Sequence, residues 1–191
     1  VGEIELSVPA SLRPLIEQHI GRLTLEEQRI LEMLSVAGEE VAVAILADCL
    51  EEALRVVEER CERLTNREQL LRAYGSEKQT DGTITERYGL SHALYQQVLY
   101  ERLSESRRAR LHQRLGEVKE GFYAAHASEH AAELALHFER GQNVTRALYY
   151  FSQAAPNAMQ RYAYREAIEY FTKAIGILNE KCHRMAVRRR A

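Results

Sequence analysis

The chain has 191 residues, enough to bury a substantial core in one large or two small domains. Its 26 Lys and Arg residues nearly balance its 28 Asp and Glu residues, and a net charge of -2 gives no electrostatic reason to expect nucleic acid or an anionic membrane as a partner. The longest unbroken apolar run, residues 41–47, is far shorter than the roughly 18 residues of a membrane-spanning helix, so we expect no membrane segment.

The cysteines and the first residues indicate the compartment. Cys49, Cys61 and Cys182 are too far apart for a Cys-x-x-Cys motif, and their odd number is a poor disulfide framework. The N-terminus has neither the basic start nor the apolar stretch of a secretory signal. We therefore expect a reduced, cytoplasmic protein. Because Val1 is not an initiator Met, we also expect the sequence to be a fragment of a longer protein.

Four helices are predicted in the first part of the chain, over residues 11–23, 24–38, 41–50 and 51–64. Ser11 is the predicted N-cap of the first helix. Thr24 and Glu27 form a capping-box pattern at the start of the second helix, which is predicted to end at Gly38. In the fourth helix the apolar residues form one narrow buried seam: Leu54, Val57, Cys61 and Leu64.

A β-hairpin is predicted next. The runs QLLRAYGSE and TITERYGLS contain Tyr and Thr and are joined around Asp81-Gly82, a dipeptide that suits the positive φ angles of a tight turn. A hairpin after three closely spaced helices is typical of a winged helix-turn-helix. We therefore predict a winged-helix domain with an N-terminal linker helix over residues 1–103.

The rest of the sequence is predicted to be helical, over residues 92–103, 104–122, 127–140, 144–162 and 164–178. The spacing Ala-x3-Phe-x2-Ala occurs twice, at residues 147–154 and 167–174, and is typical of the second helix of a tetratricopeptide (TPR) unit. The two copies are only 20 residues apart. We therefore predict a mainly α chain with TPR-like antiparallel helical hairpins over residues 104–180, with an ordinary helical bundle as the alternative. Residues 181–191 are predicted to be a disordered basic tail.

Two stretches of the sequence resemble STAND-type signalling ATPases, in particular bacterial regulators related to LuxR-type activators and those fused to nucleotide cyclases: VPASLRPLIEQHIGRLTLEEQRILEMLSVAG and RYGLSHALYQQVLYERLSESRRARLHQRLGE. The resemblance implies that a P-loop ATPase domain, absent from this chain, precedes a winged helix and TPR-like helices and binds the ADP or ATP. It implies a non-catalytic regulatory arm without a cofactor of its own. Its partners would be that ATPase domain, in the same protein or another, and a protein or small-molecule effector on the helical repeats.

The resemblance also singles out His92. In the related NB-ARC group a Met-His-Asp motif follows the wing, and its His contacts the β-phosphate of bound ADP. Ser91-His92-Ala93 stands at the equivalent place, although the Met and Asp of that motif are not matched. A helix N-terminus suits a phosphate oxygen. The alternative is a His92 that only caps the helix or packs against the hairpin.

A winged helix also suggests a DNA-binding transcription regulator, with the fourth helix in the major groove, as the alternative function. That helix carries five glutamates against three arginines where phosphates must be approached, so we expect no nucleic-acid partner. Arg107, Arg110 and Arg114 lie along one flank of an apolar stripe and are a candidate site for docking a phosphate or a partner. A solvated or salt-bridged face is the alternative for these arginines.

His126, Glu129 and His130 spell HASEH, formally the His-x-x-Glu-His pattern of a zinc peptidase, and a zinc hydrolase is the third candidate function. His126 and His130 are predicted to share a helix face, and both lie with His137 on the polar flank of the apolar stripe. Because such short motifs recur by chance, we expect no metal site. Phe151 and Phe171 are predicted to pack between repeats, whereas the neighbouring tyrosines offer a peptide-binding surface.

Overall fold

A computed structural model describes residues 9, 11–38, 40–78 and 84–188, and describes no side chain at 77, 78 or 180–188. The predicted mainly α class is confirmed, because the described residues form nine α-helices and one three-stranded antiparallel sheet. Contacts divide the chain into unit 1 (Val1–Arg108) and unit 2 (Ala109–Ala191), whereas the sequence predicts a boundary at residue 103. Within the described residues, no helix combines the length and apolarity that crossing a bilayer requires.

Unit 1 contains five complete helices and the start of a sixth: α1 (Arg13–Gly21), α2 (Leu25–Ala37), α3 (Val43–Leu50), α4 (Leu54–Asn66), α5 (Ala93–Arg102) and α6 (Glu105–Tyr123). The capping box of α2 is confirmed, since Glu27 N donates to Thr24 Oγ1 and Thr24 N donates to Glu27 Oε2. The predicted stop at Gly38 is also confirmed, with a φ of 89° that suits glycine. Ser11 is not the N-cap of α1: Leu12 takes that position, after a turn in which its N–H donates to the Pro9 carbonyl.

The sheet of unit 1 consists of β1 (Val41–Ala42), β2 (Leu71–Lys78) and β3 (Ile84–Leu90), in the order β1-β3-β2. The two predicted strands of the hairpin are confirmed, and Leu71 pairs with Leu90 at the base of their ladder. The predicted turn at Asp81-Gly82 lies outside the described residues. β1 is not predicted from the sequence, and it pairs with β3 through Val41 and Tyr88.

The seam predicted for α4 is confirmed at three of its four positions. Val57, Cys61 and Leu64 are fully buried, whereas Leu54 is 38% exposed because it is the first residue of the helix. Burial raises the pKa of the Cys61 thiol to about 12, so this thiol is protonated at neutral pH and is a poor nucleophile. Cys49 is likewise a buried free cysteine.

Unit 2 contains the rest of α6 and three further helices: α7 (Ala131–Arg140), α8 (Val144–Gln160) and α9 (Tyr164–Arg188). Its core lies between α7, α8 and α9, around Phe138 and Phe151. The helix predicted from residue 127 begins only at Ala131, because residues 124–126 form a 3-10 turn. Phe171 is 43% exposed, so its predicted burial is wrong.

The predicted disordered tail is also wrong as far as residue 188. α9 continues to Arg188, ten residues beyond the predicted end at Leu178. No Gly or Pro interrupts this stretch, and its Lys, Arg, Met and Ala residues are good helix formers. Residues 189–191 lie outside the described part of the chain.

Candidate functional site

His92, the residue singled out by the family resemblance, occupies the N-cap position of α5. Its backbone is extended and its ring is exposed, and its side chain accepts no capping hydrogen bond from the described residues of α5. His92 is thus the N-cap residue by its backbone position, and its side chain makes no capping bond to the described helix. The loop before it is fixed, because Ser91 Oγ donates to the Gln69 carbonyl at 2.8 Å and Ser91 N donates to the Leu70 carbonyl at 2.9 Å.

His92 is the first of four polar side chains in a row, which we call the His19 network: His92, Tyr95, His19 and Glu68. The rings of His92 and Tyr95 are stacked with their centroids 6.5 Å apart. The Tyr95 hydroxyl lies 3.2 Å from His19 Nδ1, and His19 Nε2 lies 3.1 Å from Glu68 Oε2. An ionised Glu68 can only accept, so in a neutral His19 the proton is on Nε2 and the Tyr95 hydroxyl donates to Nδ1. The hydrogen bond to His19 therefore orients Tyr95, whose ring stacks with that of His92.

The first turn of α5 presents backbone N–H groups beside His92. Tyr95 N and Gln96 N donate to the His92 carbonyl at 3.1 and 3.4 Å, so the N–H groups of Ala93 and Leu94 precede the helical ladder. These groups and the positive end of the helix dipole suit a phosphate oxygen. The imidazole of His92 adds a potential third donor at the same helix end.

Arg107 is engaged within unit 1. Its Nε and Nη2 atoms both bond to Glu32 Oε2, at 3.0 and 2.5 Å. Arg110 is exposed and Arg114 is half-buried, and both belong to unit 2. The pair with Glu32 favours the salt-bridged alternative for Arg107 over a phosphate-docking role.

The residues of the HASEH pattern do not share a helix face. His126 ends a 3-10 turn and His130 is the N-cap residue of α7, so the predicted i, i+4 arrangement on one helix is wrong. His126 Nδ1 lies 3.1 Å from Glu129, and His130 Nδ1 lies 3.8 Å from Glu133. Over the residues that the structure describes, no group of three His, Cys, Asp or Glu side chains is placed to hold a metal ion.

A buried pair of histidines in unit 2 is not predicted from the sequence. His137, expected on the polar flank of α7, is only 5% exposed, and its Nδ1 lies 3.1 Å from Nδ1 of the buried His112. One of these nitrogens donates and the other accepts, so only one of the two rings carries its proton on the Nδ1 atom of this contact. Burial, and secondarily the charge of Lys119, holds the pKa of His137 far below its usual range. The imidazole is therefore neutral.

Lys119 continues this buried polar region. Its ammonium, on a side chain that is 4% exposed, donates to Glu133 Oε1. The Tyr123 hydroxyl donates to Glu133 Oε2 at 2.9 Å, and the rings of Tyr123 and His130 are stacked with centroids 3.7 Å apart. The histidine pair and the Lys119–Glu133 pair both join α6 to α7. We call these four residues the α6–α7 polar seam: His112, Lys119, Glu133 and His137.

Unit 1 also contains a half-open cavity of about 380 Å³ beside the sheet. Tyr74, Glu40 and Gly89 contribute to its wall, and none of the site residues predicted from the sequence lines it. A Cβ at Gly89 would lie 3.0 Å from Tyr74 Cε2, a tight approach that the exposed Tyr74 ring would have to move slightly to accommodate. The Glu40 carboxylate accepts from Arg87 at 3.1 Å.

Comparison of the chain with protein-family models, with curated proteins and with solved structures gives no match. The assignment of function therefore depends on the residues themselves and on the geometry of unit 1 and unit 2, each taken alone.

Proposed function

We propose that the chain is a non-catalytic regulatory segment of a STAND-type signalling ATPase. In this proposal unit 1 is a winged helix, and unit 2 consists of TPR-like helical hairpins that bind a protein or small-molecule effector. An ATPase domain, in the same protein or in a partner, holds the ADP or ATP. His92 contacts the phosphate of the bound nucleotide and so couples the nucleotide state to the helices.

The order of elements in unit 1 supports the winged-helix assignment. The helices α2, α3 and α4 follow one another closely and precede the β2–β3 hairpin, and β1 adds a third strand beside β3. This order fits a helix-turn-helix core with a β-hairpin wing.

The packing of unit 2 supports the TPR-like assignment. Connections of three residues, 141–143 and 161–163, join α7 to α8 and α8 to α9, and connections this short are typical of antiparallel neighbours. Ala147 and Ala154 of α8 are buried on either side of the buried Phe151, as the small-aromatic-small pattern requires. In the second copy of the pattern both alanines are buried but the aromatic residue is not.

The observation that carries the proposal is the position of His92. Its exposed ring stands directly after the last strand of the sheet, at an N-cap where it makes no capping bond within the described helix. The His92 ring stacks with the ring of Tyr95, and the Tyr95 hydroxyl bonds to His19. A phosphate oxygen at this helix end would meet N–H groups, the helix dipole and an imidazole donor at once.

The charges of α4 weigh against the alternative function, a DNA-binding regulator. Each of its three arginines faces a carboxylate: Arg55 faces Glu59, Arg60 faces Glu52 and Arg63 faces Glu27. A helix that enters the major groove gains affinity by placing cations on phosphates. Arg60 and Arg63 would have to exchange their partners within the fold before they could bind phosphate, whereas the exposed pair of Arg55 and Glu59 is weak.

The test compares His92→Ala with His126→Ala in the protein expressed from its complete reading frame, together with the ATPase domain. We expect H92A to release a fluorescent ADP analogue about tenfold faster than the unsubstituted protein, since a hydrogen bond to a charged phosphate contributes roughly 1.5 kcal/mol. H126A removes another exposed histidine, in unit 2, and should release ADP at the original rate. An H92A protein that retains ADP equally long would contradict the sensor role.

A further inference from the structure

The Tyr95 side chain, in the first turn of α5, lies between two imidazole rings. Its ring is stacked with that of His92, with an angle of 27° between the two planes. The ring of His19, in α1, meets it in a T-shaped contact with centroids 6.1 Å apart, and His19 Nδ1 lies 3.2 Å from the Tyr95 hydroxyl. That hydroxyl is at the far end of the side chain, so a bond there selects one rotamer of Tyr95. The direction of the Tyr95 ring therefore depends on His19.

The part of the chain that the structure describes places few other constraints on the His92 side chain. The imidazole is exposed and makes no capping bond to the described helix. Its stacked contact with Tyr95 therefore limits the directions in which it can point. A hydrogen bond to a phosphate oxygen weakens steeply when the donor is misaligned, so an oriented His92 binds phosphate better than a freely rotating one.

The helix α1, which carries His19, is held by few buried side chains. Only Ile16 and Ile20 are buried among the residues of α1. Its ion pair with α5, between Arg13 and Glu101, joins side chains that are 38 and 41% exposed. Segments with few buried apolar contacts and exposed polar contacts open at a low free energy. A displacement of α1 would also break the bond between His19 and Tyr95.

From these contacts we infer that His19 is a positioning residue for His92, and that α1 regulates the phosphate contact of His92 through the Tyr95 ring. With α1 in place, Tyr95 is fixed and the His92 ring is oriented at the start of α5. With α1 displaced, both rings rotate and the nucleotide is released sooner. This inference rests on the function proposed above for His92, but the orientation of the His92 ring is measurable without any nucleotide.

Two substitutions of His19 separate its two bonds. His19→Gln places an amide N–H near the position of Nε2, so it keeps the bond to Glu68 and loses the acceptor for the Tyr95 hydroxyl. His19→Asn places an amide oxygen near the position of Nδ1, so it keeps that acceptor and loses the bond to Glu68. H19N is therefore the matched control for H19Q. Tyr95→Phe removes the same hydrogen bond from the other side and retains the ring.

The first measurement is the NMR signals of the His92 imidazole C–H groups in the 191-residue chain, identified by their absence in H92A. These signals report the position of the Tyr95 ring, because an aromatic ring shifts the resonances of groups stacked on it. We expect H19Q and Y95F to shift them in the same direction and H19N to leave them nearly in place. Unchanged signals in H19Q, or an equal shift in H19N, would overturn the positioning role.

The role of α1 itself is tested by Ile20→Ala, which leaves His19 and Tyr95 unchanged but removes apolar contacts of a side chain that is 1% exposed. We expect faster hydrogen exchange in α1 and a shift of the His92 signals in the direction seen for H19Q. The matched control is Leu15→Ala in the same helix, where the side chain is 60% exposed, and it should change neither. Faster exchange in α1 with unchanged His92 signals would overturn regulation by α1.

The second measurement is the release of the fluorescent ADP analogue from the protein expressed with its ATPase domain. We expect H19Q and Y95F to release it about threefold faster, less than H92A, because the His92 donor is present but no longer oriented. The double variant should be no faster than either single variant, since both remove one bond. If H92A accelerates release and H19Q does not, regulation through His19 is overturned. If H19Q shifts the His92 signals but H92A releases ADP at the original rate, the positioning contact is supported and the sensor function is contradicted.

Discussion

The two units differ in the partners of their buried polar side chains. In unit 1 the buried residues Glu27, Ser35 and Thr85 each bond to the backbone. The Glu27 carboxylate accepts from a helix N-terminus, the Ser35 hydroxyl donates to a carbonyl one turn earlier, and the Thr85 hydroxyl accepts from an N–H at the start of α3. Backbone groups do not titrate and are always present. Glu27 also pairs with Arg63 at 3.3 Å, so only the bonds of Ser35 and Thr85 join two groups that do not titrate, and these two bonds should change little with pH.

In unit 2 the buried polar residues bond to other side chains on another helix. His112 pairs with His137, and Lys119 pairs with Glu133. The loss of one partner leaves the other buried and unsatisfied, and a change of protonation alters the pair directly. Unit 2 should therefore be the more sensitive of the two to single substitutions in its polar groups and to acid.

The largest expected effect is that of Glu133→Ala. It leaves the Lys119 ammonium without its carboxylate and removes an acceptor from the Tyr123 hydroxyl. We expect the free energy of unfolding of unit 2 to fall by about 2 kcal/mol, because the Lys119 side chain is 4% exposed and loses its carboxylate, while the Glu133 side chain is 36% exposed and part of the pair is already solvated. Hydrogen exchange with mass spectrometry measures this for each unit separately.

The control for that prediction is Glu59→Ala in unit 1. Glu59 pairs with Arg55 on the surface of α4, where the two side chains are 61 and 88% exposed. Its loss should change the stability of unit 1 by no more than about 0.5 kcal/mol. If E133A and E59A lose the same free energy of unfolding, the expected difference in sensitivity between unit 2 and unit 1 is contradicted.

Acid should destabilise unit 2 by an intermediate amount. The pKa of His137 is depressed by burial in the folded chain, whereas in the unfolded chain it is about 6.5. Below pH 6.5 the unfolded state therefore binds a proton that the folded state does not. Titration of His137 should therefore lower the free energy of unfolding as the pH falls below 6.5, by up to about 1.4 kcal/mol per pH unit. Above pH 6.5, His137 is neutral in both states and should not affect the free energy of unfolding.

This pH dependence is checked by hydrogen exchange in α7 between pH 5 and pH 7. His137→Gln should flatten the dependence, because the titrating group is gone. His126→Gln replaces an exposed histidine of the same unit and should keep it. If the free energy of unfolding of H137Q still falls as steeply with decreasing pH, the acid sensitivity belongs to another group.

The sequence predicts features whose partners are close along the chain. The capping box joins residues three apart, and the stop at Gly38 needs only a residue that tolerates a φ of 89°. The strand β1 is missed because its two residues are extended only through pairing with Tyr88 and Arg87 of β3. Periodicity within one short segment carries no information about such a partner.

The same limit applies to the candidate site. The place of His92 between a strand and a helix follows from local pattern and is found in the structure. The His19 network is not predictable in that way, because His19 is 49 positions from Glu68 and 76 from Tyr95. His112 and His137 are 25 positions apart, and only the packing of α6 on α7 brings them together.

The smallest expected effect is that of Thr24→Ala, which tests the local, backbone-directed bonding of unit 1. The substitution removes the hydroxyl that accepts from Glu27 N, so we expect the free energy of unfolding of unit 1 to fall by about 1 kcal/mol. Thr172→Ala is the matched control, since that hydroxyl donates to a carbonyl within α9 and alanine is the better helix former there. T172A should leave unit 1 unchanged and should not destabilise α9. Because the partner of the Thr24 hydroxyl is a backbone N–H, the loss of unfolding free energy in T24A should be nearly the same at pH 6 and pH 8. A strongly pH-dependent loss would show that a titrating pair contributes to this cap.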